Sequence, residues 1–184
     1  MALTLVTGPA RSGKSEWAEL LASQSQKAVT YVATAVLNAE DDEWRSRIEQ
    51  HRDRRPATWH TQEVPIALTD LIHTSSDQDC LLIDSLGTWL ANLLEQDEAD
   101  WEATMGELLK AVEQTSAEVI VVAEETGWGV VPAYPVGRQF RDRLGSITRH
   151  LGAIATVVYL VTGGHVLNLS RLGTPLPQHP GREI

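Results

Sequence analysis

Gly8-Pro9-Ala10-Arg11-Ser12-Gly13-Lys14-Ser15 fits the pattern G-x-x-x-x-G-K-[ST], and its flanks are the ones that pattern needs. The apolar residues Leu3, Leu5 and Val6 before it predict a buried strand. Glu16 to Ser25, with Trp17, Leu20 and Leu21, predicts a helix after it. A loop between strand and helix aims successive backbone N–H groups, and the positive end of the helix dipole, at an anion. In such a loop Lys14 reaches the outer phosphates of a nucleoside triphosphate and Ser15 ligates Mg²⁺. A glycine turn that matches by chance is the competing reading; the strand and helix on either side weigh against it.

Outward from the loop, apolar runs alternate with helical periodicity. Strands are predicted near 2–7, 29–33, 80–84, 118–123 and 156–161, and helices near 14–25, 39–55, 65–74, 86–95, 99–115 and 137–152. Val119-Ile120-Val121-Val122 and Val157-Val158-Tyr159-Leu160-Val161 are continuously apolar, as strands are when helices cover both faces of a sheet. The alternation predicts an α/β fold with a mostly parallel sheet flanked by helices. Residues 1–169 read as a single domain, and at 184 residues the chain can bury about 70% of its unfolded surface. Residues 170–184, with Pro175, Pro177, Pro180 and Gly181 and no periodicity, read as a mobile C-terminal tail.

Composition narrows the partners. A formal net charge of −10 argues against broad nucleic-acid binding, which rests on phosphate neutralisation by Lys and Arg. No apolar run approaches the roughly 20 residues of a membrane span, and Met1-Ala2-Leu3-Thr4 carries no basic export signal. Cys80 is the only cysteine, which excludes an internal disulfide; beside Leu81-Leu82-Ile83 it reads as a buried thiol rather than a nucleophile. A cytoplasmic setting is the default. Five of the fifteen basic residues lie between Arg45 and Arg55, and Arg138, Arg141, Arg143 and Arg149 form a second cluster. Such clusters in an acidic protein suit a small polyphosphate ligand; for each arginine a solvated helix face is the alternative.

Three further positions carry candidate chemistry. Asp84, ending the run Leu81-Leu82-Ile83, is placed as a second metal-side residue opposite the loop. Glu124-Glu125 end another strand before Thr126-Gly127-Trp128-Gly129; they either orient a nucleophile or belong to a turn. In the segment from Asn38 to Pro56, Trp44, Ile48 and His51 fall on one helical face, with Arg47, Arg52, Arg54 and Arg55 close by. Arginines favour the neutral, nucleophilic imidazole and hold phosphate. On these residues alone His51 is either a nucleophile or a packed structural histidine. The remaining histidines have no metal-ligand spacing.

Together these stretches resemble a known family, the bifunctional adenosylcobinamide kinase/adenosylcobinamide-phosphate guanylyltransferase of cobalamin biosynthesis. The resemblance runs from about Leu5 to Val166. It rests on the 7–15 loop, Tyr31-Val32-Ala33-Thr34, Arg47 through Pro56, Trp59, Glu63, Asp84 through Leu94, Glu125-Thr126-Gly127-Trp128-Gly129-Val130-Val131-Pro132, and Phe140-Arg141-Asp142. It implies a P-loop, RecA-like sheet, assembled as a homotrimer. It implies phosphorylation of adenosylcobinamide with ATP or GTP, then transfer of GMP from GTP to adenosylcobinamide phosphate through a phosphoramidate on His51. Lys14 and His51 are then catalytic, and Ser15 and Asp84 hold Mg²⁺. Nucleotide contacts fall on Gly8, Pro9, Ala10, Arg11, Ser12, Gly13, Lys14, Ser15, Thr34, Ala35, Val36, Arg52, Asp53, Arg54, Arg55, Glu63 and Asp84. The chain departs from the family pattern at Pro9, Gln50, Asp84, Glu124 and Thr148-Arg149.

Two other readings remain at this level. One is a single-function P-loop kinase of a small metabolite with a structural His51. The other is a GTP-binding regulatory protein, against which stands the lack of an Asn-Lys-x-Asp element: Asn38, Asn92 and Asn168 are followed by Ala39, Leu93 and Leu169.

Overall fold

The computed structural model describes residues 2–36 and 55–176. In chain order it contains β1 (Ala2–Gly8), α1 (Lys14–Gln24), β2 (Ala28–Ala33), β3 (His60–Glu63), α2 (Leu68–Thr74), β4 (Asp79–Asp84) and α3 (Leu86–Ala91). There follow α4 (Glu98–Gln114), β5 (Glu118–Glu124), α5 (Pro135–Ile154), β6 (Val157–Thr162), β7 (His165–Asn168) and α6 (Leu169–Leu172). The strands form one seven-stranded sheet in the order β3-β2-β4-β5-β1-β6-β7. Every pairing is parallel except β6 with β7.

The alternation of side chains along each strand divides the core in two. Leu3, Leu5, Leu81, Ile83, Val119 and Val121 face α2 to α5 and pack with Leu68, Trp89, Leu108, Leu144 and Ile147. Val6, Tyr31, Cys80, Leu82, Ile120 and Val122 face the other way, against Ala18 and Ala22 of α1. With both faces covered there is no polar phase to the alternation, which is why the central strands read as unbroken apolar runs.

The five predicted strands are all present. Two more had not been expected. His60 to Glu63 is entirely polar and exposed and carries no burial signal; it is held by pairing with β2, Thr30 to Ala33 opposite His60 to Glu63. Strand β7 is set by a glycine turn. Gly163 and Gly164 have φ of 57° and 75° and join β6 to β7 as a two-residue hairpin turn, the geometry that two glycines favour. The helix expected from 65 begins at Leu68, and the one expected to reach 95 ends at Ala91. Asn92 stops the second: its side-chain amide donates to the carbonyls of Thr34 (2.8 Å) and Pro65 (2.9 Å), pinning the chain on both sides of it. The helix expected over 39–55 lies outside the described residues but for Arg55. So do residues 177–184 of the expected tail, whose first residues instead belong to α6, Leu169–Leu172.

The later arginines are engaged by groups of the chain itself. Arg143 is buried, and its Nη2 donates to the Gln96 carbonyl (3.0 Å), the Asp97 carbonyl (3.3 Å) and Glu98 Oε2 (3.1 Å). Its guanidinium lies 5.3 Å from the Trp101 ring. Arg138 donates to the carbonyls of Pro132 (3.0 Å) and Ala133 (2.7 Å), and Arg141 pairs with Asp142 at 2.7 Å. These arginines close chain turns and tie α5 to the start of α4, so the structural reading holds for them.

Two outcomes follow. Replacing Arg143 with Ala orphans two backbone carbonyls and should lower unfolding free energy by about 2–3 kcal/mol, read by urea denaturation. Cys80 is fully buried, and burial, reinforced by the Glu118 charge, pushes its thiol up from 9.0 to about 11. The native thiol should resist Ellman's reagent and react once the chain is unfolded. Between pH 9.0 and about 11 the unfolded thiol loses its proton while the folded one keeps it. Stability therefore falls as pH rises through that window, and Cys80→Ala should flatten the fall.

Candidate functional site

Five neighbouring parallel strands end at one edge of the sheet, and there lie Gly8, Ala33, Glu63, Asp84 and Glu124. That carboxyl edge is where open α/β sheets place ligands. Gly8 is required by close approach: a Cβ there would meet the Val161 carbonyl oxygen at 2.2 Å. From Gly8 the backbone runs through Arg11 (φ 57°) and Gly13 (φ 92°) into α1. Alternating left-handed residues turn N–H groups to one side, forming an anion-binding concavity. Helix α1 also begins without a side-chain cap, whereas Ser85 and Asp97 cap α3 and α4. Its first-turn N–H groups therefore remain available to an anion. Ser12 Oγ is buried in the loop with no hydrogen-bond partner, a further polar atom suited to a phosphate oxygen. Pro9 contributes no N–H, but its carbonyl accepts from Lys14 Nζ at 3.2 Å, which holds the 8%-exposed ammonium inside the loop.

Ser15 and Asp84 meet as the spacing predicts. Ser15 Oγ donates to Asp84 Oδ1 at 3.4 Å, bridging the start of α1 to the end of β4. Strand β5 lies between β1 and β4, so the loop and Asp84 stand two strands apart with Glu124 between them. The second Asp84 oxygen, Oδ2, accepts from the Tyr31 hydroxyl at 3.0 Å. Arg55 lies on the Tyr31 ring, its Cζ 3.2 Å from the centroid. Burial, then the Asp84 charge, raises the Tyr31 phenol far above its ordinary value, so it remains a donor. Tyr31 was not singled out in the sequence as a site residue. Its signal was an aromatic hydroxyl two residues from the end of a mostly apolar strand.

Behind these groups a polar network fixes the edge. Thr34, fully buried, donates from Oγ1 to the Ser85 carbonyl (2.7 Å) and accepts from the Ser85 N–H (2.9 Å). The Asp84–Ser85 peptide is cis. Glu124 accepts from the Ser85 hydroxyl and from the Gly87 N–H (2.9 Å). A Cβ on Gly87 would lie 2.3 Å from Glu124 Oε2, so a side chain there would expel the carboxylate. Glu125 Oε1 accepts from the Gly127 N–H at 2.6 Å, and the Glu125 N–H donates to the Gly8 carbonyl at 2.9 Å. Both glutamates thus serve the turns around them. Glu124 is committed to the start of α3, and Glu125 roots the following loop on Gly8.

The remaining expected contacts spread along the edge. With Thr34 engaged on both hydroxyl and carbonyl, Ala35 and Val36 are the members of that trio nearer solvent. Glu63 ends β3, opposite Ala33, and lines a groove of about 420 Å³ with Pro65, Ile66, Asp70 and Leu71. It does not approach Asp84 through the pairings seen, since β2 separates the two strands. His51, Arg52, Asp53 and Arg54 lie outside the described residues.

Comparison with solved structures supports the fold alone. The chain superposes on a protein from Pyrococcus horikoshii OT3 with a TM-score of 0.57, at 6% identity, covering 91% of this chain and 85% of that one. It superposes on a prototypical ATPase from the type III secretion system of pathogenic bacteria with a TM-score of 0.52, at 11% identity, covering 93% and 53%. The shared fold is a mostly parallel sheet with flanking helices. Sequence relatives are nearer. The chain is 44% identical to a bifunctional adenosylcobalamin biosynthesis protein, CobP, of Pseudomonas aeruginosa, over 77% of this chain and 82% of the relative. It is 37% identical to the bifunctional adenosylcobalamin biosynthesis protein CobU of Escherichia coli K12, over 88% and 96%. The model of the CobU family, cobinamide kinase / cobinamide phosphate guanyltransferase, matches residues 4–169. A phosphate loop of the required geometry, an acidic strand end facing it and a match across nearly the whole domain have one meaning: the chain belongs to the cobinamide kinase / cobinamide phosphate guanyltransferase family.

Proposed function

We propose that this protein phosphorylates the aminopropanol hydroxyl of adenosylcobinamide with ATP or GTP. It then transfers GMP from GTP to adenosylcobinamide phosphate, yielding adenosylcobinamide-GDP and pyrophosphate. The observation that carries this reading is family membership across residues 4–169, on a loop whose amides, Lys14 and Ser15 are arranged for a triphosphate.

In the kinase step the loop amides and Lys14 offset charge on the transferring γ-phosphoryl, a task of positioning more than of covalent chemistry. The hydroxyl oxygen forms the new P–O bond as the bond to the nucleoside diphosphate breaks. Glu125 is the carboxylate proposed to orient that hydroxyl, through the oxygen that the Gly127 N–H does not engage. Ser15 and Asp84, a hydroxyl and a carboxylate in contact, suit Mg²⁺, which when bound neutralises charge on the phosphate oxygens. Among the described residues no group of three or more His, Cys, Asp and Glu side chains is arranged to hold a metal.

In the guanylyl step His51 attacks the α-phosphorus of GTP and pyrophosphate leaves. A phosphate oxygen of adenosylcobinamide phosphate then displaces the imidazole. Arg52 and Arg54, with Asp53 between them, form the charged surroundings of that exchange, and Ala35, Val36 and Glu63 complete the nucleotide contacts. Thr34, fully buried, and Arg55, over the Tyr31 ring, support the site from within the protein. We place the enzyme in the cytoplasm as a homotrimer, acting on small metabolites without nucleic acid or stable membrane insertion.

GTP labelled at the α-phosphate should leave an acid-labile, alkali-stable label on the wild-type chain and none on His51→Ala. An unlabelled wild type, or equal labelling of the variant, refutes the guanylyl step and leaves a kinase with a structural His51. Lys14→Ala should lower cobinamide phosphorylation by at least about a hundredfold, measured by product chromatography. Turnover near the wild-type rate would remove the kinase step from this loop.

A further inference from the structure

Tyr31 is 5% exposed, on the face of the sheet covered by α1. A buried phenol requires an acceptor. In register Tyr31 stands opposite Leu82, while Asp84 stands opposite Ala33. The carboxylate is therefore two residues along the neighbouring strand, on the same face, within reach of a side chain as long as tyrosine. The ionised carboxylate has no proton to give, so the phenol donates, at 3.0 Å, to Oδ2. Ser15 donates to the other oxygen, Oδ1. The carboxylate is thus divided, with one oxygen turned to the phosphate loop and the other held from behind.

Arg55 completes the arrangement. Its guanidinium covers the Tyr31 ring at 3.2 Å, and its buried Nε has no hydrogen-bond partner. Stacking there restricts the ring, and a cation over a phenol draws density from it and strengthens its O–H as a donor.

We propose that Tyr31 is a positioning residue for the metal-side carboxylate, holding Asp84 so that Oδ1 faces Ser15, and that Arg55 acts on the same carboxylate by fixing the Tyr31 ring. The inference rests on the reading of Asp84 as the metal-side residue and adds to it two residues that act through that carboxylate. Partners of this kind orient a ligand and typically contribute 10–100-fold to metal affinity.

The test is binding of a fluorescent GTP analogue by the full chain, titrated with Mg²⁺ and repeated in EDTA. Tyr31→Phe keeps the ring and removes the donor. It should raise the Mg²⁺ concentration for half-maximal enhancement of binding by roughly tenfold, with metal-free binding unchanged. Mn²⁺ substituted for Mg²⁺ should give an altered electron paramagnetic resonance line shape in the variant. Arg55→Lys, which keeps the charge and loses the planar stack, should shift the Mg²⁺ midpoint in the same direction. The double variant should be no worse than Tyr31→Phe, because both act through one hydroxyl. A Tyr31→Phe midpoint within about twofold of wild type overturns the inference. So does an Arg55→Lys variant that weakens binding equally in EDTA, which would make Arg55 a direct nucleotide contact. Asp84→Asn is the control: an unchanged midpoint there overturns the metal reading of Asp84 and this inference with it. A shift confined to Asp84→Asn overturns the role of Tyr31 alone.

Discussion

The pairing of β1 with strands on both sides is the constraint from which the site follows. A strand buried among parallel neighbours has every backbone group satisfied until it leaves the sheet, and there its chain must turn within hydrogen-bond reach of other strand ends. For β1 that exit is Gly8, lying against the carbonyl of Val161 and accepting from the N–H of Glu125. Those contacts, from β6 on one side and β5 on the other, set where the loop starts. Everything downstream inherits that position: the uncapped start of α1, the inward Lys14, and Ser15 aimed across β5 at Asp84.

Charge at this edge is divided by task. Asp84 faces the loop, whereas Glu124, on the strand between, is turned away into the start of α3 by Gly87 and Ser85. Glu124 is anchored there on one backbone and one hydroxyl donor. The same economy appears in the arginines. Those on α5 close chain turns, and Arg55 lies flat on an aromatic ring. Net charge and clustering along the chain therefore say little about which arginine meets a ligand; geometry separates them.

The legible parts of the sequence were those in which one physical signal dominates. Unbroken apolar runs mark strands covered on both faces, and the Gly8 to Ser15 spacing marks the turn between β1 and α1. Strand β3 was hidden because His60 to Glu63 buries no side chain; its stability comes from backbone pairing with β2, which leaves no trace in composition. Tyr31 was hidden for the opposite reason, since its ring satisfies the apolar pattern and the pattern is blind to the hydroxyl. The Glu124-Glu125 pair was ambiguous in sequence because a carboxylate that caps a turn and one that meets a ligand occupy the same kind of strand end. Only the direction of the side chain distinguishes them.

The two edge strands have a consequence for the behaviour of the chain in concentrated solution. Among the described residues the sheet ends at β3 and β7, each four residues long. The stretch Val119 to Ala123, apolar and free of charge and proline, is the kind that stacks into fibrils when exposed, and it lies at the centre of the sheet. A neighbouring molecule meets instead a short border, which on the β3 side presents His60, Thr61, Gln62 and Glu63. So short a border gives an incoming strand few backbone partners, and polar side chains on one side give it nothing to bury. The chain thereby keeps a strongly adhesive interior beneath two short margins, eight residues in all at the two ends of the sheet.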